Sequence, residues 1–567
     1  KAGNAFSLGG KRSNGTRLLK FFSLPQANGQ FNAPVDNPED FRLLVDYCIR
    51  DTELTQQLHQ RLGDLPQNER KLWLNTMQIN RRGINIDTVA CRNIIRHTNK
   101  KREQLNDAID VFTGGVVTKV TQRDRIRNYI FENFNIALPN MQGNTILDWL
   151  ANVDLMTQED IEKYGTNVRN AKIMLKWFLN GGKSSVAKYV KMAEQVCKDR
   201  TIKGFLFYHG AGTGRYSGRG VQFQNFPNKV DPEADTTIEL LECDDSWMVE
   251  FSVGDIFEVG KKLLRSMIVA PPGKYLCVAD YKSIEAVGTA WVCGEKEILL
   301  SFVRGEDQYR RTAAKMYSTE YALVTDEQRF AGKIAVLACG FGGGSNAILG
   351  MAEKMRMDVS EQQAIEWTGQ FRAARPALTQ AWKNVETTAK KAMNGKEGEM
   401  YDVPGVKGMM FTTIGEDLRT VLPSGRHINY PQAKQVSKMR NVYKQKIVDL
   451  NTMETETIIE TKYVELQAMW VDSTTHQWRE RDLYGSLLFQ NYIQGLCRDI
   501  LAHAQLELEA NGFPICINVH DELGSLVSTN DEYTYNRFRS VMTRRPQWLA
   551  EDFPILADGY ISKRYRK

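Results

Sequence analysis

The sequence predicts an α+β protein built from several structural units, on three observations. At 567 residues the chain is long enough for roughly three to four units with well-buried cores. Apolar residues recur at helical spacing over 67–200 and again over 293–395, the pattern of helices laid against a core. Strand patterns separate and follow these stretches, at KYLCVADY (274–281), DLRTVLPSGRHINY (417–430) and TKYVELQAMWV (461–471).

Taken in order, residues 40–62 read as a helix stopped by Gly63-Asp64-Leu65-Pro66. It is expected to be the last helix of a domain whose beginning lies upstream. The helical arm that follows is broken at 79–87, at Thr113-Gly114-Gly115 and at Asn180-Gly181-Gly182. GFLFYHGAGTGRYSG (204–218) is turn-prone, the strand to Tyr281 leads into a helix after Ser283, and a helix at 484–511 precedes a hairpin bent at His520-Asp521. No internal repeat or low-complexity tract is present.

Composition excludes several classes. With 42% hydrophobic and 25% charged residues the chain is ordinary globular material, and no stretch of about 18 apolar residues is there to cross a bilayer. The polar start, KAGNAFSLGGKRSNG, lacks the apolar core of a signal peptide. Nine cysteines never approach CxxC spacing, which argues for reduced thiols in a cytoplasm and against structural zinc. The net charge of +6 decides little, but Lys163 to Lys203 carries a net +8 over 41 residues and would attract a polyanion. The turn Gly181-Gly182-Lys183-Ser184-Ser185 lies within that run, and its amides could add phosphate contacts. A solvated helix face is the competing explanation. A second basic cluster, Lys434, Lys438, Arg440, Lys444 and Lys446, has no assigned target.

Two carboxylates stand at strand ends: Asp280, where Tyr275 to Ala279 gives way to a turn, and Asp521, at the tip of the hairpin. Singly, each could be a turn or cap residue. Brought within a few ångströms, the two could hold two divalent cations about 3.5–4 Å apart, one activating a hydroxyl and the other steadying a leaving phosphate oxygen. Magnesium suits all-oxygen ligands that leave room for water and substrate. Glu522 is expected to face another side of the bend and to support the ligands rather than bind an ion. Between them, Arg329, Lys333, Leu337 and Phe341 recur every fourth residue, a stripe that is cationic at one end and apolar at the other. A nucleoside triphosphate has the same polarity. Gly342-Gly343-Gly344 is expected to stop this helix. Glu285, in the first turn after Asp280, would crowd a 2′-hydroxyl and so select deoxyribose.

These segments closely resemble the family A DNA polymerases. Motif A, Asp-Tyr-Ser-x-Ile-Glu, is matched by Asp280 to Glu285, motif B by Arg329, Lys333 and Phe341-Gly342, and motif C, Val-His-Asp-Glu, by Val519 to Glu522. Thr213-Gly214-Arg215-Tyr216-Ser217, Gln224-Asn225-Phe226-Pro227 and Gln494-Gly495 with Asp499 look like the family's primer-contacting segments. The resemblance implies a right-hand fold with an antiparallel palm sheet, helical fingers and helical thumb. It implies dNTP addition to a primer 3′-hydroxyl with two Mg2+ ions, Mn2+ being able to substitute. The ions would be held by Asp280, Asp521 and the carbonyl of Tyr281, with Lys333 counted beside the two aspartates as catalytic. Arg329 and Lys333 would grip the triphosphate, Leu337, Phe341 and Glu285 would shape the nucleotide pocket, and Arg215, Gln224, Asn225, Gln494, His520, Lys183 and Ser184 would contact DNA. The implied partners are primer-template DNA, dNTPs and replisome proteins around a monomer with no membrane contact, replicating phage DNA in the host cytoplasm.

The departures are Phe341 for the usual Tyr, Leu337 for an aromatic, Lys282-Ser283 for Ser-Gln, and Tyr309 where a phosphate-contacting His is common. Tyr47 and Asp51 resemble the last motif, Tyr-x3-Asp, of the family's 3′–5′ exonuclease domain, without the Asp-x-Glu pair that should precede it. The expected organisation is therefore an exonuclease remnant at 1–62 that cannot proofread alone, connecting helices at 63–115, thumb at 116–203, palm at 204–300, fingers at 301–420 and palm again at 421–567. A single-subunit RNA polymerase and a non-catalytic DNA-binding protein are the competing readings.

Overall fold

The computed structural model describes residues 14–26, 28–154, 158–182, 185–444, 457–472, 475 and 477–566. The chain divides into two compact units, Lys1–Leu74 and Asn75–Lys567. The first holds the helices Gly15–Ser23 and Pro38–Leu62, the latter ending at Gly63, whose φ of 70° suits glycine. Tyr47 and Asp51 lie on that second helix. Tyr47 is buried with its ring against Gly15, where a side chain would collide with it.

In the second unit the arm read from periodicity over 67–200 is helical: Thr88–Thr113, Arg123–Phe134, Gly143–Asp154, Gln158–Gly181 and Ser185–Gln195, the last two carrying most of the basic run. Asp87 starts the first of these by accepting from the Ala90 amide at 2.9 Å, and Gly114 ends it in the left-handed region. The arm is closed at its base where Ile84–Asn85 pairs antiparallel with Thr201–Ile202. Six helices lie between Lys296 and Met393, among them Asp326–Cys339, which begins with a Thr325/Gln328 capping box.

The sheet that matters most has four antiparallel strands in the order Ile515–Val519, Glu522–Val527, Tyr275–Tyr281, Ala557–Ser562. Its two central strands are almost continuously buried, which explains why Tyr275 to Ala279 reads as an apolar run. Behind them runs the helix Gly485–Ala510, of whose 26 residues 19 are buried; a helix buried all round is a core element and not a surface one. Its polar members are satisfied in place: Gln505 donates to Asn75 Oδ1 at 2.6 Å and accepts from Asn518 at 2.7 Å.

Two further sheets precede this helix. Tyr401–Asp402, Met410–Ile414, Asp417–Val421 and His427–Tyr430 form a meander, and Lys434–Lys444, Thr457–Val471 and Trp478–Leu483 form a three-stranded antiparallel sheet. Lys434, Lys438, Arg440 and Lys444 of the second basic cluster lie on the first strand of the latter, and two of them have acidic partners. Lys434 pairs with Glu480, and Lys438 with Glu465 and Asp482. Cross-strand carboxylates neutralise these two cations; Lys446 lies outside the described residues. No helix among the described residues is long and apolar enough to cross a membrane.

Candidate active site

The two strand-end carboxylates meet. Glu522 is the cross-strand partner of Asp280, and the Tyr281 amide donates to the Asp521 carbonyl at 3.1 Å. Asp521 therefore sits beside the end of the motif A strand although 241 positions separate it from Asp280 in sequence. The hairpin that presents it is a two-residue turn, since Val519 pairs with Glu522. His520 takes φ 55° there, sparsely populated for a residue with a side chain. Its Nε2 lies 2.8 Å from the Gln224 carbonyl; a carbonyl can only accept, so Nε2 carries the proton. That bond, with Gln224 donating to the Asn518 carbonyl at 3.4 Å, joins the Gln224-Asn225 segment to the hairpin.

Electrostatics report the same closeness. Burial pushes the Asp521 carboxyl up to about 6, and the charges of Glu285 and Asp280 raise it while Arg215 and His520 oppose them. Glu522, buried at 3% exposure, lies against the Tyr565 hydroxyl, whose proton it accepts. Tyr281 is anchored by its hydroxyl, which donates to the Met542 carbonyl at 2.8 Å. Among the described residues no three His, Cys, Asp or Glu side chains form a ready metal cluster. Two adjacent carboxylates, one of them buried and reluctant to ionise alone, fit a hard cation that takes its remaining oxygens from water and substrate.

Arg215 and Glu285 form an ion pair. The loop that carries Arg215 is held from below by a buried charge network absent from the sequence reading. Arg426 donates to Asp499 Oδ1 at 2.7 Å and to the Thr213 carbonyl at 2.9 Å, while Arg498 donates to the same Asp499 oxygen at 3.0 Å and to the Gly214 carbonyl at 3.0 Å. Trp470 closes over Gly212, where a Cβ would stand 2.7 Å from the indole. Gly214, at φ 94°, could not carry a side chain comfortably either.

The motif B helix corrects one expectation. It ends at Cys339 with Gly340 as cap, the Gly340 amide donating to the Val336 carbonyl at 3.0 Å. Phe341 thus lies in the turn beyond the helix, partly buried against the core, and the helical stripe is Arg329, Lys333 and half-exposed Leu337. Gly340 keeps right-handed helical dihedrals, and the left-handed residue is Gly342, at φ 87°, in the glycine run expected to stop the helix. Arg329 donates to Asp307 at 2.6 Å, and both cations lie about 6 Å from the Tyr309 ring, at 5.8 and 5.9 Å. Gly332 permits this, because a Cβ there would strike the Tyr309 carbonyl. Asn225 accepts from Lys188 of the basic arm at 2.6 Å through its carbonyl, and burial lowers the Lys188 pKa. Gln494 is half-buried on the central helix. Lys183 and Ser184 lie outside the described residues.

An antiparallel sheet that brings two strand-end aspartates together, in a chain with an adjoining Arg/Lys helix and a basic helical arm, defines a nucleic-acid polymerase of the palm, fingers and thumb kind. Residues 89–397, more than half of the chain, match the profile of DNA polymerase family A. The chain belongs to that family and is a template-directed DNA polymerase. It is 27% identical to the DNA polymerase of Bacillus phage SP02 across 98% of this chain and 81% of that protein. A stretch covering 34% of the chain is 25% identical to DNA polymerase I of Chloroflexus aurantiacus, of which it spans 18%. In fold it is similar to the POL domain of Pol1 from M. smegmatis, solved in complex with DNA primer-template and dNTP, with a TM-score of 0.58 at 15% identity over 98% of this chain and 79% of that one. Polymerases of this family use divalent metal ions.

Two stability predictions follow from this geometry. Asp499→Ala leaves two buried guanidinium groups facing each other and is expected to cost about 3–5 kcal/mol in denaturant unfolding; a loss below about 1 kcal/mol would show that the network holds nothing. Asp521 is harder to ionise folded than unfolded, so its contribution is most favourable below its ordinary value of 3.8 and is lost as pH rises to about 6. Above that the penalty is complete, on the order of 3 kcal/mol. In buffer free of divalent ions, Asp521→Asn should therefore be more stable than wild type at pH 8 and no more stable at pH 4; a difference that does not change with pH contradicts the assignment.

Proposed function

We propose that this chain extends a primer 3′-hydroxyl with dNTPs at Asp280 and Asp521, in the service of phage DNA replication. The observation that carries the reading is the pairing of the motif A strand with the motif C hairpin, supported by the effect of the Asp280 charge on the ionisation of Asp521. Asp280, Asp521 and the Tyr281 carbonyl would hold two Mg2+ ions, which supply Lewis acidity to the hydroxyl and to the leaving phosphate. Glu522 stays behind them, hydrogen-bonded to Tyr565.

The chain's own residues do the positioning. Arg329 and Lys333, one helical turn apart, meet the triphosphate, with Tyr309 and Asp307 holding them on the nucleotide side. Leu337 and Phe341 border the base. Glu285 blocks a 2′-hydroxyl, and its ion pair with Arg215 fixes its carboxylate while keeping Arg215 beside the primer end. Gln224, Asn225, Gln494 and His520 line the primer-terminal edge, and the arm residues Arg169, Lys176, Lys191 and Lys198, which have no ion-pair partner among the described residues, contact duplex phosphates without reading sequence. The reading takes the protein to act as a monomer, with primer-template DNA and dNTPs as its partners and replisome proteins beside it. The expected exonuclease remnant and the palm, fingers and thumb boundaries belong to it as well.

Primer extension decides the matter. Asp280→Ala and Asp521→Ala should each reduce dNTP addition by at least about a thousandfold while primer-template affinity stays within a few-fold of wild type. Extension at the wild-type rate by either variant would remove that residue from the chemistry, and equal use of rNTPs and dNTPs by the wild type would favour an RNA polymerase.

A further inference from the structure

Between Asp231 and Glu258 the chain carries ten carboxylates and neither Lys nor Arg, in a protein of net charge +6. This stretch folds as the helix Ala234–Leu240 packed on the helix Ser246–Val253, which Asp245 caps by accepting from the Trp247 amide at 2.9 Å. One side of the second helix is sealed to the body of the protein: Val249 is 2% exposed, Ser246 hydrogen-bonds His97 at 2.9 Å and Glu250 pairs with Lys101 at 2.8 Å. The other side is bare. Phe251 is 79% exposed, Trp247 68% and Met248 49%, with Leu240 at 41% on the neighbouring helix. Trp247 and Phe251 stack with centroids 5.5 Å apart and planes 15° off parallel.

Contiguous exposed apolar surface of this kind marks an interaction site more often than chance, and stacked aromatics are the side chains that dominate binding energy at interfaces. The surrounding charge selects the occupant. Asp235 and Asp244 are matched by Arg564 and Arg96, but Glu239 and Glu242, on either side of Leu240, have no cation partner among the described residues. Phosphates are repelled there, so the aromatic pair is not a base-stacking platform. Lys and Arg are attracted, with their apolar stems and cation–π contacts matching Trp247 and Phe251.

We infer that the face formed by Leu240, Trp247, Met248 and Phe251 docks a partner protein through a basic amphipathic segment, its apolar side on the aromatic pair and its Lys or Arg side chains on Glu239 and Glu242. This surface contains none of the residues assigned to nucleotide addition, so the inference stands or falls independently of that chemistry.

The test uses the full chain and a fluorescently labelled amphipathic Lys/Leu peptide, read by anisotropy, with a Glu/Leu peptide of the same length as control. Wild type should bind the Lys/Leu peptide about tenfold more tightly than Trp247→Ser/Phe251→Ser or Glu239→Lys/Glu242→Lys, while the Glu/Leu peptide shows no dependence on these changes and primer extension on a short template is unaltered. The charge variant alters only exposed carboxylates and keeps the test valid if the aromatic variant folds poorly. Equal peptide affinity in wild type and charge variant overturns the inference. So does single-stranded oligonucleotide binding lost in the aromatic variant, or self-association of the wild type that both variants abolish, which would make the occupant a second copy of this chain.

Discussion

The antiparallel pairing of Tyr275–Tyr281 with Glu522–Val527 is the constraint on which the site depends. The strands come from distant parts of the sequence, and only their register puts Asp280 level with Glu522 and the Tyr281 amide on the Asp521 carbonyl. Because side chains alternate across a sheet, a slip of one residue would turn Asp280 to the opposite face. Burial of both strands opposes that slip. The same burial makes Asp521 reluctant to ionise, so the fold carries a strained carboxylate where a cation would relieve it.

A second layer of buried polar groups serves the first. Arg426 and Arg498 converge on Asp499, and each spends further hydrogen bonds on the carbonyls of Thr213 and Gly214. Two buried cations on one carboxylate are poorly justified as stability alone. Their effect is to fix the loop that bears Arg215, and hence the ion pair with Glu285 at the mouth of the site. Trp470 reaches the same loop from the three-stranded sheet, so an element remote from the aspartates also bears on them.

Much of this was legible in the sequence because the relevant signals are local. Tyr275 to Tyr281 is an apolar run bounded by polar turns, the helix at 485–510 has continuous apolar content, and the His520-Asp521 bend interrupts strict alternation. The motifs then supplied the pairing that periodicity cannot. What escaped notice depends on register or on close approach. Lys434 and Lys438 belong to a cluster that the sequence leaves without a target, because their carboxylate partners lie across strands, at Glu480, Glu465 and Asp482. Phe341 counted as helical because the four-residue spacing runs on to it, although the last helical residue is Cys339 and Phe341 stands just before the left-handed Gly342. Arg426, with Ser424-Gly425 before it, looks like any turn arginine until the fold brings Asp499 beneath it. Tyr47 and Asp51 share a helix face as expected, and the close approach of the Tyr47 ring to Gly15 is a contact that spacing does not reveal.

The central claim is that Asp280 and Asp521 share cations. Crystals of the chain with primer-template and a non-hydrolysable dNTP, soaked in Mn2+ and measured at the manganese absorption edge, test it most directly. The account predicts anomalous density between the Asp280 and Asp521 carboxylates, within about 2.2 Å of oxygens from both. Manganese bound elsewhere, with neither aspartate among its ligands, would contradict it.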